Sequence, residues 1–92
     1  MSIAKKIIVR GRVQGVGFRY TTTRLAEELG VTGAVWNEND GSVHIEAQAA
    51  EASVLKDFIA KVDDSPSPYG RVDSVNITDI AVDEKRVQFR EI

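Results

Sequence analysis

Residues 11 to 19, GRVQGVGFR, combine three glycines with two arginines between an apolar stretch and a helix-like one. Glycines between a strand and a helix are typical of a backbone that adopts positive φ or lets a ligand approach closely. Such a loop places several backbone N–H groups at the positive end of the helix dipole, where they can bind phosphate. Arg19 can add a planar fork of donors to two phosphate oxygens. The loop therefore predicts a local anion site.

The spacing of the glycines excludes two common nucleotide sites. No Gly-Lys-Ser/Thr follows them, as a nucleoside triphosphate loop requires, and 92 residues are too few for a doubly wound dinucleotide domain. Three glycines without Arg19 are more typical of a simple tight turn than of a ligand site. The phosphate prediction therefore depends on the loop and Arg19 together.

The other residues capable of chemistry favour structural roles. The chain contains no cysteine and a single histidine, His44, so no second histidine is present to share a metal. The carboxylate pairs at 63–64 and 83–84 lie in polar connections typical of solvated surface. Trp36 is more typical of a cover for a sheet face than of a ligand platform. The sequence therefore predicts no metal site and no cofactor.

The stretches around the loop indicate alternating strands and helices. Strand-like stretches alternate apolar and polar residues, whereas helix-like ones repeat apolar residues every three or four positions. Gly30 is placed to end the first helix, and the residues from Asn39 to Gly41 are placed to join a hairpin. The predicted elements are a strand over 3–13, a helix over 19–29, a hairpin over 33–48, a helix over 50–62 and strands over 71–80 and 86–92.

This order predicts an α+β, ferredoxin-like βαββαβ sandwich with a short extra C-terminal strand. Both helices are expected to cover one face of a mainly antiparallel sheet. In the strand that contains Ile45, we expect the odd positions to point inward and His44, Glu46 and Gln48 to point outward. The outer face is expected to stay partly open and to carry some mixture of these four residues: Arg10, Arg12, Trp36 and His44.

Length and composition favour one ordinary globular domain over residues 1–92. Hydrophobic residues make up 42% of the chain and charged residues 28%, with a net charge of -2. This charge argues against bulk electrostatic binding of nucleic acid or an anionic membrane. No stretch is long and apolar enough for a signal peptide or a membrane span, so a cytoplasmic location is expected. Charged edge strands favour a monomer.

The loop followed by a helix, and then GAVWNENDGSV, resembles the acylphosphatase family along nearly the whole chain. This resemblance implies hydrolysis of the carboxyl-phosphate anhydride of small acyl phosphates, without a metal or cofactor. It assigns phosphate binding to Arg19 and orientation of the attacking water to Asn37. It assigns the phosphate cradle to the backbone N–H groups of five consecutive residues: Gln14, Gly15, Val16, Gly17 and Phe18. Inorganic phosphate or sulfate should then compete with the substrate.

Three positions depart from the family pattern. Ala34 and Trp36 stand where the family usually has a large aromatic and a basic residue before the asparagine, and Ala49 replaces a family glycine. These departures leave Arg19 and Asn37 unchanged, but they bear on how the acyl portion of a substrate is held and so on substrate preference. Ala49 matters only where the backbone requires positive φ.

Two non-catalytic functions share this fold. A single-stranded RNA-binding module would need aromatic residues on its central strands, and KIIVRGRV and SVHIEAQA contain none. A small-molecule regulatory domain is the other alternative, against which Arg19 and Asn37 at the matching positions argue.

Overall fold

A computed structural model describes residues 2–92 and contains five strands and two helices. The elements, in chain order, are β1 (Ile3–Arg12), α1 (Phe18–Leu29), β2 (Thr32–Asn37), β3 (Val43–Ala49), α2 (Ala52–Asp63), β4 (Arg71–Asp79) and β5 (Phe89–Glu91).

The five strands form one sheet in the order β4-β1-β3-β2-β5. All pairs are antiparallel except β2 with β5, which is parallel. Ile7, Ile45 and Val35 are register partners across three strands and are fully buried in the core that the helices cover. The predicted ferredoxin-like fold with an extra C-terminal strand is therefore confirmed.

Both helices bury an apolar stripe in this core. The buried residues of α1 are Phe18, Thr22 and Ala26, and those of α2 are Leu55, Phe58 and Val62. Gly30 ends α1 in the left-handed region at φ 75°, as its position predicts.

The hairpin between β2 and β3 forms around the predicted residues. Glu38 N–H donates to Ser42 O at 2.9 Å, and Gly41 adopts φ 91°. Asp40 accepts hydrogen bonds from both Oγ and N–H of Ser42. Because these contacts are local in sequence, the turn is encoded by its own residues.

The outer face of the sheet is less open than the sequence suggests. Gln48 points to that face as expected, but it is 7% exposed because residues 80–88 cover it. Its Nε2 donates to Asp83 O and its Oε1 accepts from Asp83 N–H, each at 2.9 Å. Arg86 forms an ion pair with Glu46 beside this contact.

The strand predicted over 86–92 is wrong in extent. Only Phe89–Glu91 is a strand, and Val87 is 85% exposed. The alternation of apolar residues continues beyond the three positions that pair with β2.

Ala49 lies within β3 without positive φ, so its methyl group causes no backbone strain.

Candidate active site

The glycine-rich connection from β1 to α1 has the backbone form that an anion site requires. Gly15 and Gly17 adopt φ 76° and 78°, whereas Val16 between them does not have positive φ. When successive residues alternate between positive and negative φ, their neighbouring N–H groups point towards the same side of the chain. Residues 14–18, called the cradle below, are therefore shaped to present donors to a small anion.

The donors of the cradle are free to bind a ligand. Among residues 2–92, no backbone carbonyl accepts from the N–H groups of residues 14–18 outside regular helix and strand pairing. Gly17 caps α1 without a side-chain hydrogen bond, and the first turn contains no acidic residue. An incoming anion would therefore meet unpaired N–H groups and the positive end of the helix.

Arg19 lies in the first turn of α1 and is half-buried. Its Nη1 donates to the carbonyl oxygen of Ile92 at 2.7 Å. The N–H of Ile92 in turn donates to Val35 O at 2.9 Å, on β2. Arg19 is thereby connected to β2 two residues before Asn37, while most of its guanidinium donors remain available.

Gln14 connects the other end of the cradle to the same part of the sheet. Its Nε2 donates to Glu38 O at 2.8 Å and to Ser42 O at 3.0 Å. The sequence predicts only a backbone role for Gln14, so this side-chain function was missed. No short-range signal could reveal it, because the acceptors lie 24 and 28 residues away along the chain.

Asn37 is the last residue of β2 and is exposed. Gln14, at the start of the cradle, is bonded to Glu38, and Arg19, which directly follows the cradle, is joined through Ile92 to Val35. These two connections lie on either side of Asn37. The structure therefore brings the predicted residues of the loop and of β2 to one edge of the molecule.

The hairpin next to Asn37 is also connected to β1. Arg10 Nη2 lies 3.6 Å from Asp40 Oδ2. The hydrogen bonds from Oγ and N–H of Ser42, followed by the charge of Arg10, hold the pKa of the Asp40 carboxyl below its ordinary value. Asp40 thus remains charged and keeps its two hydrogen bonds at neutral pH.

Trp36 and His44 lie on the opposite face of the sheet from Asn37. Their ring centroids are 5.8 Å apart, and Lys6 Nζ lies 5.6 Å from the Trp36 ring. Trp36 Nε1 also donates to Glu38 Oε1 at 2.7 Å. These contacts agree with the structural roles predicted for both rings.

Within residues 2–92, no group of three or more His, Cys, Asp or Glu side chains is placed to hold a metal ion. No helix in this part of the chain has the length and apolar character needed to cross a membrane.

The fold and the site define a class: a small α+β domain in which a glycine-rich loop between a strand and a helix carries unpaired backbone N–H groups next to an arginine. A family model described as "Acylphosphatase" matches residues 5–91. The chain belongs to the acylphosphatase family, and it is an enzyme that hydrolyses acyl phosphates. The resemblance expected from the loop motif is thus confirmed.

Individual relatives agree with this membership. The acylphosphatase of Enterococcus faecalis is 55% identical over 84 residues, which are 91% of each chain. The crystal structure of acylphosphatase from Bacillus subtilis has a TM-score of 0.90 at 34% identity and covers 98% of each chain. An acylphosphatase structure from Coxiella burnetii has a TM-score of 0.90 at 31% identity, covering 99% of this chain and 93% of that one. These findings favour hydrolysis over the RNA-binding and regulatory alternatives.

Proposed function

We propose that the cradle and Arg19 bind the phosphoryl group of the acyl phosphate. The observation that carries this proposal is the pair of connections from Gln14 to Glu38 and from Arg19, through Ile92, to Val35, which lie on either side of Asn37. Backbone N–H groups would bind the phosphate oxygens, and Arg19 would add two donors in one plane. These donors need little reorganisation as charge shifts during the reaction, which lowers the barrier.

Asn37 is proposed to orient the attacking water. Its side-chain carbonyl can accept a hydrogen bond from water but cannot act as a strong base. Its role is therefore to aim the water oxygen in line with the bond that breaks between phosphorus and the carboxylate oxygen. The exposed position of Asn37 at the end of β2 leaves room for this water.

The reaction needs no general acid. The leaving group is a carboxylate whose conjugate acid has a pKa of about 4, so it departs without protonation. Phosphoryl transfer through a loose transition state mainly requires positioning and charge stabilisation. His44, which packs against Trp36 on the other face, therefore has no part in the proposed mechanism.

We propose that hydrolysis proceeds without a metal, because Arg19 and the N–H groups of the cradle already supply positive charge to the phosphate. Inorganic phosphate or sulfate is proposed to compete with the substrate, since the same donors recognise any tetraoxyanion. We further propose that residues 1–92 act as one monomeric domain in the cytoplasm on a small-molecule substrate, without nucleic acid. The net charge of -2 supports this last point.

The test is phosphate release from acetyl phosphate and benzoyl phosphate by the purified chain, with and without EDTA. Equal rates in both conditions are expected, together with competitive inhibition by inorganic phosphate. Arg19→Lys should lose activity, and Arg24→Lys serves as its control for the Arg-to-Lys replacement itself, because Arg24 is exposed on α1 and its guanidinium bonds Tyr20 instead. Loss of activity with EDTA and its return with a divalent ion would contradict the metal-independent mechanism. Noncompetitive inhibition would contradict the cradle as the phosphate site.

A further inference from the structure

The connection between α2 and β4 packs against the cradle through one buried side chain. Ser67 is 2% exposed, and its Oγ donates a hydrogen bond to the carbonyl of Val16 at 2.6 Å across 51 residues of chain. Val16 is the central residue of the cradle. The hydrogen bond therefore joins the cradle to a segment that has no part in the mechanism described above.

This hydrogen bond controls the direction of the Gly17 N–H, which lies on the opposite side of the Val16–Gly17 peptide group. The carbonyl of Val16 and the N–H of Gly17 share one peptide plane, and residues 2–92 contain no cis peptide bond. In a trans peptide these two groups point in opposite directions. Holding the Val16 oxygen against Ser67 therefore turns the Gly17 N–H away from Ser67.

The peptide needs such a hold because glycines flank Val16 on both sides. Gly15 and Gly17 have positive φ, but glycine populates positive and negative φ with similar ease. Neither glycine therefore fixes the peptide by its own steric preference. The carbonyl of Gly17 is held by N–H and Oγ1 of Thr21, at 3.0 and 2.9 Å, which leaves the Val16 carbonyl to Ser67.

Ser67 is itself held firmly by its neighbours. Its carbonyl accepts from Ser65 Oγ at 2.8 Å and from Gly70 N–H at 3.2 Å, and its Oγ accepts from Tyr69 N–H at 3.3 Å. The Ser67 hydroxyl thus accepts a hydrogen bond from Tyr69 N–H and donates its own proton to the Val16 carbonyl.

We propose that Ser67 is a positioning residue for acyl phosphate hydrolysis, which aims the Gly17 N–H at the phosphoryl group without touching the substrate. This inference rests on the proposed binding of phosphate by the cradle. Removal of the Ser67 hydroxyl frees the Val16 peptide to rotate, so phosphate binding must order it again. The loss of one hydrogen bond of ordinary strength corresponds to a decrease in affinity of about 2- to 10-fold.

The experiment compares Ser67→Ala with Ser65→Ala, a matched control that loses one hydroxyl hydrogen bond in the same segment but none to the cradle. In Ser65→Ala the Ser67 carbonyl keeps its hydrogen bond from Gly70 N–H, and Ser67 Oγ keeps its own to Val16. Inorganic phosphate is titrated by calorimetry, and the ¹⁵N-labelled Gly17 amide is followed by NMR. Ser67→Ala should raise the phosphate Kd about 2- to 10-fold, lower kcat/KM by a similar factor and reduce the phosphate-induced shift of Gly17. Ser65→Ala should stay within about twofold of the wild type in all three measurements.

Two further variants keep the comparison decisive. Ser67→Thr retains the hydroxyl and should preserve the Gly17 shift. Where Ser67→Ala does not fold, Ser67→Cys fills the same space with a weak donor and should show the same losses. Equal phosphate Kd and kcat/KM in the Ser67 and Ser65 variants, with an active wild type, would overturn this inference alone. A wild type that neither binds phosphate nor hydrolyses acetyl phosphate would overturn the proposed function as well.

Discussion

Replacement of Gly15 by alanine should separate the conformation of the cradle from the stability of the fold. Gly15 has φ +76°, and a Cβ added there would meet no atom within 4 Å, so the substitution introduces no steric clash. Its cost is the left-handed conformation itself, about 1–2 kcal/mol for an L-residue. Reduced freedom of the unfolded chain offsets about 0.4–1 kcal/mol of this cost. Where the fold holds the left-handed conformation, the net loss is about 1 kcal/mol, which lowers Tm by about 4–8 °C in a domain of this size. Where the backbone relaxes instead, the stability is kept and the cost falls on ligand binding.

Gly30 provides a matched control for the same substitution. It has φ +75°, also with no atom within 4 Å of an added Cβ, but it lies at the opposite end of α1 from the cradle. Gly30 is held by its capping hydrogen bonds, so Gly30→Ala should lose about 1 kcal/mol of free energy of unfolding while it binds phosphate like the wild type. Gly15→Ala instead escapes most of the stability loss because the loop relaxes to negative φ, but this relaxation turns the cradle N–H groups and phosphate binding must reverse it. A cost of about 1–2 kcal/mol raises the phosphate Kd by about 5- to 30-fold.

The assay combines thermal unfolding followed by circular dichroism with phosphate calorimetry at a temperature where all three proteins are folded. A near-wild-type Tm with weakened phosphate binding is expected for Gly15→Ala, and a lower Tm with wild-type phosphate affinity is expected for Gly30→Ala. Wild-type phosphate affinity in Gly15→Ala would refute the argument that positive φ at this position shapes the site. Equal weakening in both variants would show that phosphate affinity follows general stability instead.

The remaining predictions concern side chains. Arg19→Lys keeps the charge but removes the planar fork, so phosphate affinity should fall and kcat should decrease at least ~10²-fold, while Arg24→Lys changes neither. Asn37→Ala should bind phosphate nearly as tightly as the wild type while kcat falls by a similar factor; lost binding with retained kcat would place Asn37 in the cradle instead. Gln14→Ala removes two hydrogen bonds at an exposed position and should lower the free energy of unfolding by about 1 kcal/mol in urea unfolding, with a lower kcat/KM; unchanged kinetics would show that the link to the hairpin is not needed. Because the pKa of Asp40 is lowered in the folded state, its carboxylate stabilises the fold above about pH 3.9 and loses this effect as the pH falls through the lowered pKa. In urea unfolding, the difference in stability between the wild type and Asp40→Asn should therefore shrink as the pH falls from about 3.9 through the lowered pKa. A difference that stays constant with pH would contradict the stabilising role of the Asp40 carboxylate.

Features encoded by neighbouring residues could be predicted from the sequence. The end of α1 at Gly30 and the hairpin turn around Asp40 depend on local φ preferences and short-range hydrogen bonds, and both occur where expected. The apolar stripe of α2 likewise predicts its buried face. Element order then followed from these local signals, and with it the ferredoxin-like architecture.

Contacts between distant residues could not be predicted in this way. The covering of Gln48 by residues 80–88 depends on a loop whose path is set by the completed sheet. The side-chain hydrogen bonds of Gln14 and Ser67 have the same origin, because their acceptors are backbone carbonyls that any residue could supply. Val87 continues the strand-like alternation but has no partner in the sheet, so the pattern alone overestimated β5.

The attachments of the cradle have a consequence for the order of events during folding. Three separate regions hold this short loop and its arginine: the β2–β3 hairpin, the segment after α2 and Ile92, which are 24, 51 and 73 residues away from their partners. Contacts of such long sequence separation form only after the chain has closed the intervening loops. The proposed affinity for phosphate is therefore a property of the completed native state, and a ligand bound there would selectively stabilise that state over any partly folded form. An acyl phosphate released into a cell would meet a competent enzyme only in molecules whose entire sheet has assembled.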